Sequence, residues 1–133
     1  MYLIDANIFL EVIYRRDKWT ECYEFLNRVK KGDIRAYALH FTIYAISAIL
    51  GKPDLISKFL PEMSTWRGLV IIDSPVDEEA MAAELAFKVG LDFDDGLHYY
   101  YAKKMGLKLI SFDKDFDRTD IERLEPHGVL RTS

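Results

Sequence analysis

Between residues 92 and 117 the chain reads DFDDGLHYYYAKKMGLKLISFDKDFD. Asp94 and Asp95 stand where a helix opens, and that helix runs through Lys104 to a terminating Gly106. Leu107 to Phe112 then forms an apolar, strand-like run that leads directly into Asp113. A helix, a glycine stop and a strand ending on an acid make up half of a β/α repeat. The rest of the chain supplies the other half.

Tyr2 to Ile4 reads as a short buried strand ending on Asp5. A helix is predicted from about Asn7 to Tyr14, with Ile8, Val12 and Ile13 on its apolar face. A second helix carries Trp19, Cys22, Tyr23, Leu26 and Val29 at helical spacing. Asp17 is the expected N-cap of that helix, and Lys30, Lys31 and Gly32 close it. Arg35 to Leu39 is a candidate second strand, and Phe41 to Leu50 reads as a buried helix ended by Gly51 and Pro53. A helix follows over Leu55 to Met63, then a β-branched strand over Leu69 to Ile72. Val76 to Val89 is a clear helix stopped by Gly90. The tail beyond Asp115 is charged and irregular, with Gly128 to Arg131 as a candidate edge strand.

Alternating strands and helices over 133 residues specify one domain, 1–133, of α/β class: a central parallel sheet covered by helices on both faces. Half the residues are hydrophobic and 30% are charged, the balance of a soluble globular protein. No apolar run is long enough to span a bilayer and no leader peptide is visible, so no membrane partner is expected. The single cysteine, Cys22, excludes an intrachain disulfide and suits a reducing cytoplasm. It reads as a packed helix residue. A net charge of −4 argues against broad, non-specific nucleic-acid binding, but it is also what a cluster of metal-binding carboxylates produces.

Ligands of parallel sheets bind outside the carboxyl ends of the strands. Asp5 and Asp113 both end strands, and Asp95 lies in the loop that opens a helix at the same edge. Clustered carboxylates stay ionised together only around a cation. An all-oxygen donor set suits Mg²⁺ or Mn²⁺. Each acid also has a plainer reading. Asp5 could be a turn residue beside a helix-capping Asn7, Asp94 or Asp95 could be an N-cap, and Asp113 could belong to a solvated turn with Asp115 and Asp117. Convergence on one edge favours the site.

The order LIDAN at 3–7, the acid-led helix and the closing SFDKDF at 111–116 resemble PIN domains, in particular VapC-type toxin ribonucleases. The resemblance spans nearly the whole chain. It implies a three-layer α/β/α fold and a metal-dependent endoribonuclease with an RNA substrate. It also implies a small antitoxin partner whose tail lies in the active-site cleft, and a homodimer. By that match Asp5, Asp95 and Asp113 take metal-binding roles, while Asn7 and Ser111 orient the site. Asp95 is preferred to Asp94 because it precedes the small residue Gly96. One departure stands out. The family places a Glu in the middle helix, and FTIYAISAIL at 41–50 has no acid, only Ser47 near the expected position. Glu11 is a candidate substitute. A site short of one carboxylate should bind metal more weakly, so a catalytically weak RNA- or protein-binding module is the rival reading. A phosphatase with Asp5 as nucleophile is disfavoured, because Asn7 stands where the acid/base Asp would be needed and cannot transfer its proton. A receiver domain is disfavoured because LIDAN offers no acidic pair.

Other polar residues point less sharply. His40 and His98 read as structural or partner-facing, and His127 as solvated. Of Tyr99, Tyr100 and Tyr101, two should be core. Arg118, Arg123 and Arg131 are either phosphate contacts or local charge balance. The same choice holds for the basic loop Arg15, Arg16 and Lys18.

Overall fold

The computed structural model describes residues 1–132. In chain order the elements are β1 (Tyr2–Ile4), α1 (Ala6–Ile13), α2 (Trp19–Lys31), β2 (Ala36–Leu39), α3 (His40–Leu50) and α4 (Pro53–Ser64). They continue with β3 (Leu69–Ile72), α5 (Val76–Val89), α6 (Phe93–Met105), β4 (Lys108–Ile110), a 3-10 turn (Lys114–Arg118), β5 (Arg123–Leu124) and α7 (Pro126–Leu130). The five strands form one parallel sheet in the order β3-β2-β1-β4-β5.

Residues alternate across the sheet, and each face builds its own core. Ile4, Ala36, Ala38 and Ile110 pack with Ile8, Phe9, Phe25 and Val29 on one side. Leu3, Leu39 and Leu109 pack with Ala82, Leu97, Tyr99 and Tyr101 on the other. This is the three-layer arrangement expected from the sequence. Tyr99 and Tyr101 are the two core tyrosines, and Cys22 is fully buried within α2. Burial pushes the Cys22 thiol up to about 12. Gly32, Gly51, Gly90 and Gly106 all end helices in the left-handed conformation that their positions predict.

The strand order makes the site. From β1 the chain winds outward through β2 to β3. It then crosses back to β4 on the other side of β1 and continues to β5. The winding therefore reverses between β1 and β4, where a crevice opens at the carboxyl edge. In the β1–β4 register Ile4 pairs with Ile110, so Asp5 and Ser111 leave the sheet side by side. The Asp5 amide donates to the Ile110 carbonyl at 3.0 Å.

Several local expectations are corrected. Residues 128–131 lie in and just after α7, not in an edge strand, because Pro126 starts a helix well. The edge strand is the two-residue β5, too short and too charged to show a periodicity. No side chain caps α2: Lys18, not Asp17, is its N-cap residue, and the Lys18 amide donates to the Glu11 carboxylate. Asp92, rather than Asp94 or Asp95, caps α6 by accepting from the Asp95 amide at 2.9 Å. Helix α3 is only half buried, with Tyr44 and Ile49 well exposed.

Gly96 sets how closely α6 lies on α5. A Cβ there would fall 2.3 Å from the Ala86 Cβ and 3.1 Å from the Ala82 carbonyl oxygen. Gly96→Ala is therefore expected to lower stability by about 1–3 kcal/mol in chemical denaturation. Adding Ala86→Gly should recover part of that loss, although on its own it costs about 1 kcal/mol as a helix glycine. An additive loss in the double variant would refute the packing account.

Candidate metal centre

Asp5 closes β1 and caps α1. Its Oδ1 accepts from the Ala6 amide at 2.7 Å. Its Oδ2 accepts from the Ser111 hydroxyl at 2.7 Å and from Asn7 Nδ2 at 3.3 Å. The side chain is only 8% exposed, so these bonds take the place of water around a buried carboxylate. Ser111 is fully buried, and its Oγ also accepts from Asn7 Nδ2 at 3.2 Å and from the Asp113 amide at 3.0 Å. Asn7 completes the ring by accepting from the Phe112 amide at 3.4 Å. Asp5, Asn7 and Ser111 thus form one hydrogen-bonded unit across the switch point, and it fixes the backbone that leads into Asp113.

Asp95 comes from the first turn of α6 and Asp113 from the end of the β4 segment. One carboxylate oxygen from each lies within 4.8 Å of the other and of an oxygen of Asp115. Asp115 is exposed, and Asp113 Oδ1 accepts from its amide at 2.9 Å. The tight group is therefore Asp95, Asp113 and Asp115, with Asp5 beside it but turned toward Ser111 and Asn7. The sequence reading placed Asp115 in a solvated turn. Its spacing of two from Asp113 is a signal only once the 3-10 turn is known to fold it back.

The electrostatics are those of crowded, partly buried carboxylates. Partial burial, then the charges of Asp92, Asp113, Asp5 and Asp94, push Asp95 up to about 7 from an ordinary 3.8. The donors are all carboxylate oxygens, partly shielded and mutually repelling, which fits a hard divalent cation such as Mg²⁺ or Mn²⁺. Asp95, Asp113 and Asp5, joined by Asp115, are the residues that would hold it.

His98 lies beneath this edge and is fully buried. Its Nδ1 is 3.0 Å from the Asp94 carbonyl oxygen and 3.3 Å from the Asp94 carboxylate. Its Nε2 is 3.2 Å from Thr42 Oγ1 and 3.9 Å from Asp5 Oδ1. Burial alone would lower its pKa, but Asp5 and Asp94 outweigh it and raise it to about 9. Asp94 is thus engaged by His98, which leaves Asp95 as the free carboxylate of the pair. The sequence read His98 as structural, and its burial agrees, but its partners belong to the acidic edge.

Helix α3, which has no acid, reaches this region through Thr42. Among the described residues no hydrogen bond joins Ser47 to the site. Glu11 is committed elsewhere, to the Lys18 amide at 2.8 Å. Arg123 balances local charge, gripping Asp117, Glu125 and the Ser111 carbonyl. Arg118 sits near Asp115 and Gly90.

Because the fold holds Asp95 above its ordinary pKa, its protonated form is favoured in the folded state. The metal-free protein should therefore lose stability as pH rises through about 7 and gain it as pH falls toward the ordinary carboxyl range. Asp95→Asn removes the repulsion at all pH values. It is expected to raise the melting temperature of EDTA-treated protein by a few degrees at about pH 8, with the difference vanishing at about pH 4. Equal melting temperatures at the higher pH would contradict this electrostatic picture.

Comparison with curated proteins finds no match. Among solved structures, a chain of a toxin–antitoxin complex from Klebsiella pneumoniae superposes with a TM-score of 0.74 at 19% identity, covering 95% of this chain and 98% of that one. A chain of VapBC2 from Rickettsia felis, solved bound to a DNA fragment from its promoter, gives 0.68 at 15% identity, with coverages of 93% and 97%. FitAcB from Neisseria gonorrhoeae gives 0.63 at 16% identity, covering 96% and 99%. At these identities the likeness concerns the fold. The PIN domain family model matches residues 2–122, and with this strand order and this acidic edge the chain belongs to the PIN-domain family.

Proposed function

We propose that the chain is a metal-dependent endoribonuclease that hydrolyses RNA phosphodiesters, and that it is the toxin of a VapBC-type toxin–antitoxin pair. The observation that carries the reading is the convergence of Asp5, Asp95 and Asp113 at the switch point of a PIN-domain sheet, with Asp95 pushed up to about 7 by burial and then by the charges of Asp92, Asp113, Asp5 and Asp94. Bound there, Mg²⁺ or Mn²⁺ supplies Lewis acidity toward a phosphodiester. The chain's own residues supply the positioning. Ser111 and Asn7 hold the Asp5 carboxylate at a fixed angle, and Ser111 also anchors the Asp113 amide. His98 sets a positive charge behind Asp5 and engages Asp94.

An antitoxin partner is supported by an apolar cavity of about 220 Å³ between α1, α2 and α4, lined by Phe9, Val12, Leu26, Phe59 and Trp66 among others. Trp66 borders this cavity, and its indole N–H is buried without a hydrogen-bond partner among the described residues. A homodimer is supported by apolar side chains left exposed on α3 and α5, notably Tyr44, Ile49, Val76 and Phe87, the last 88% exposed. Among the described residues no helix is long and apolar enough to cross a membrane; the feature that favours a cytoplasmic setting is the lone, unpaired Cys22. The rival reading, a PIN-domain binding module of little activity, is favoured by the missing acid on α3.

The deciding experiment is cleavage of a long unstructured RNA by purified protein with Mg²⁺, Mn²⁺ or EDTA. Cleavage should require metal and disappear in Asp5→Asn and Asp95→Asn. Ser111→Ala should slow it by about 10–100-fold, as loss of a ligand-orienting partner does. No cleavage by folded, inhibitor-free protein with either metal would leave the binding module as the answer. Independently, Phe87→Glu is expected to halve the mass measured by sedimentation. An unchanged mass would remove α5 from the dimer interface.

A further inference from the structure

The loop joining α1 to α2, Tyr14 to Lys18, carries Arg15, Arg16 and Lys18 against a single acid, Asp17. Arg15 sits in the left-handed region at φ 48°, the one non-glycine residue to do so among those described. For a side-chain-bearing residue this costs about 1–2 kcal/mol, which glycine would avoid. The conformation is that of a helix stop: the Arg15 amide donates to the Val12 carbonyl and the Arg16 amide to the Glu11 carbonyl, which ends α1 and leaves both arginine side chains exposed.

The two guanidiniums of this loop share a setting. The Arg15 guanidinium lies 4.8 Å from the centre of the Trp19 ring, and that of Arg16 lies 5.2 Å from the centre of the Tyr14 ring. Both arginines are exposed, and among the described residues neither has a carboxylate within ion-pairing distance. Arg118 and Arg123 both have one. The loop is fixed in place. The Arg16 amide donates to the Glu11 carbonyl, the Trp19 amide to the Arg16 carbonyl and the Lys18 amide to the Glu11 carboxylate. Lys18 ties it to the site. Its ammonium pairs with Glu125 at 3.0 Å and lies 5.1 Å from the centre of the Phe112 ring. Phe112 stands between Ser111 and Asp113.

An acidic site in a chain of net charge −4 repels a polyanion, so a substrate strand needs cations close by to hold it. Guanidiniums stacked on rings lose little freedom on binding, and their planar donors match phosphate oxygens. Tyr14, 45% exposed, adds a ring face beside them. We propose that Arg15 and Arg16 form a phosphate clamp for the backbone of single-stranded RNA flanking the bond at the acidic edge. This rests on the nuclease reading for its substrate, and it is tested separately from it.

The test measures binding of a short fluorescein-labelled single-stranded RNA by anisotropy across a salt series, in Asp95→Asn protein so that the probe survives. Arg15→Gln with Arg16→Gln should weaken binding about tenfold at low salt. It should also reduce the slope of log affinity against log salt by about 1.4, or 0.7 per lost phosphate contact. Arg15→Lys with Arg16→Lys keeps the charges and should keep the slope, which separates charge from misfolding. In protein without the Asp95 change, the Gln pair should raise KM for RNA cleavage and leave kcat nearly intact. Unchanged affinity and slope in the Gln pair would overturn the proposal, as would loss of the slope in the Lys pair. So would a defect confined to an acidic peptide offered as competitor, which would make the loop a protein-docking element. Absence of metal-dependent cleavage by the unsubstituted chain sinks the nuclease reading alone, because the anisotropy series still reports on the clamp.

Discussion

The hydrogen bond from Ser111 to Asp5, 2.7 Å long and fully shielded, is the contact on which the rest of the site depends. It joins the residues that leave two adjacent strands on either side of the point where the winding reverses. Neither strand could place its acid alone. β1 and β4 are three residues each, and their ends would fray without cross-links. The Ser111 hydroxyl donates to one segment and accepts from the amide of the other acid, so a single side chain fixes both. Asn7 repeats the link one residue further out. The placement of Asp5 and Ser111 is thus a property of the sheet register, while α6 and the 3-10 turn bring in Asp95 and Asp115.

The second constraint is charge. Asp5, Asp92, Asp94, Asp95 and Asp113 all act on one small region, and the fold offsets only part of their repulsion. His98, driven toward its charged form by Asp5 and Asp94, contributes a positive charge from within the core. The remainder falls on Asp95. Carboxylates crowded this closely would be relieved by a divalent cation. The loss of an acid from α3 then has two opposite effects: one ligand fewer to hold the ion, and less repulsion to overcome before it arrives.

Much of this was legible in the residues. The strand end at Asp5, the glycine stops at Gly32, Gly51, Gly90 and Gly106, and the alternating β/α order all carry local physical signals, and those elements fall where the sequence puts them. β4, by contrast, stops at Ile110 and leaves Asp113 in the loop as the cap of the 3-10 turn. The misses share a cause: they depend on where a neighbouring segment happens to pass. Asp92 takes the capping role because the helix starts earlier than its acidic pair suggests, at Phe93, which puts Asp94 and Asp95 inside the first turn. Asp17 goes unused because Glu11 arrives from the preceding helix. Asp115 joins the acidic group only because a 3-10 turn folds it back. The pairing of Thr42 with His98 spans 56 positions and leaves no trace in either local pattern.

Cys22 offers something different. Its thiol is fully enclosed by the core on the α2 side, and its acidity is suppressed to about 12, so the nucleophilic thiolate is scarce and out of reach. Alkylating reagents can modify it only when that half of the molecule opens. Being the sole cysteine, it makes the chain its own clock for sub-global opening, readable by mass without any engineered label.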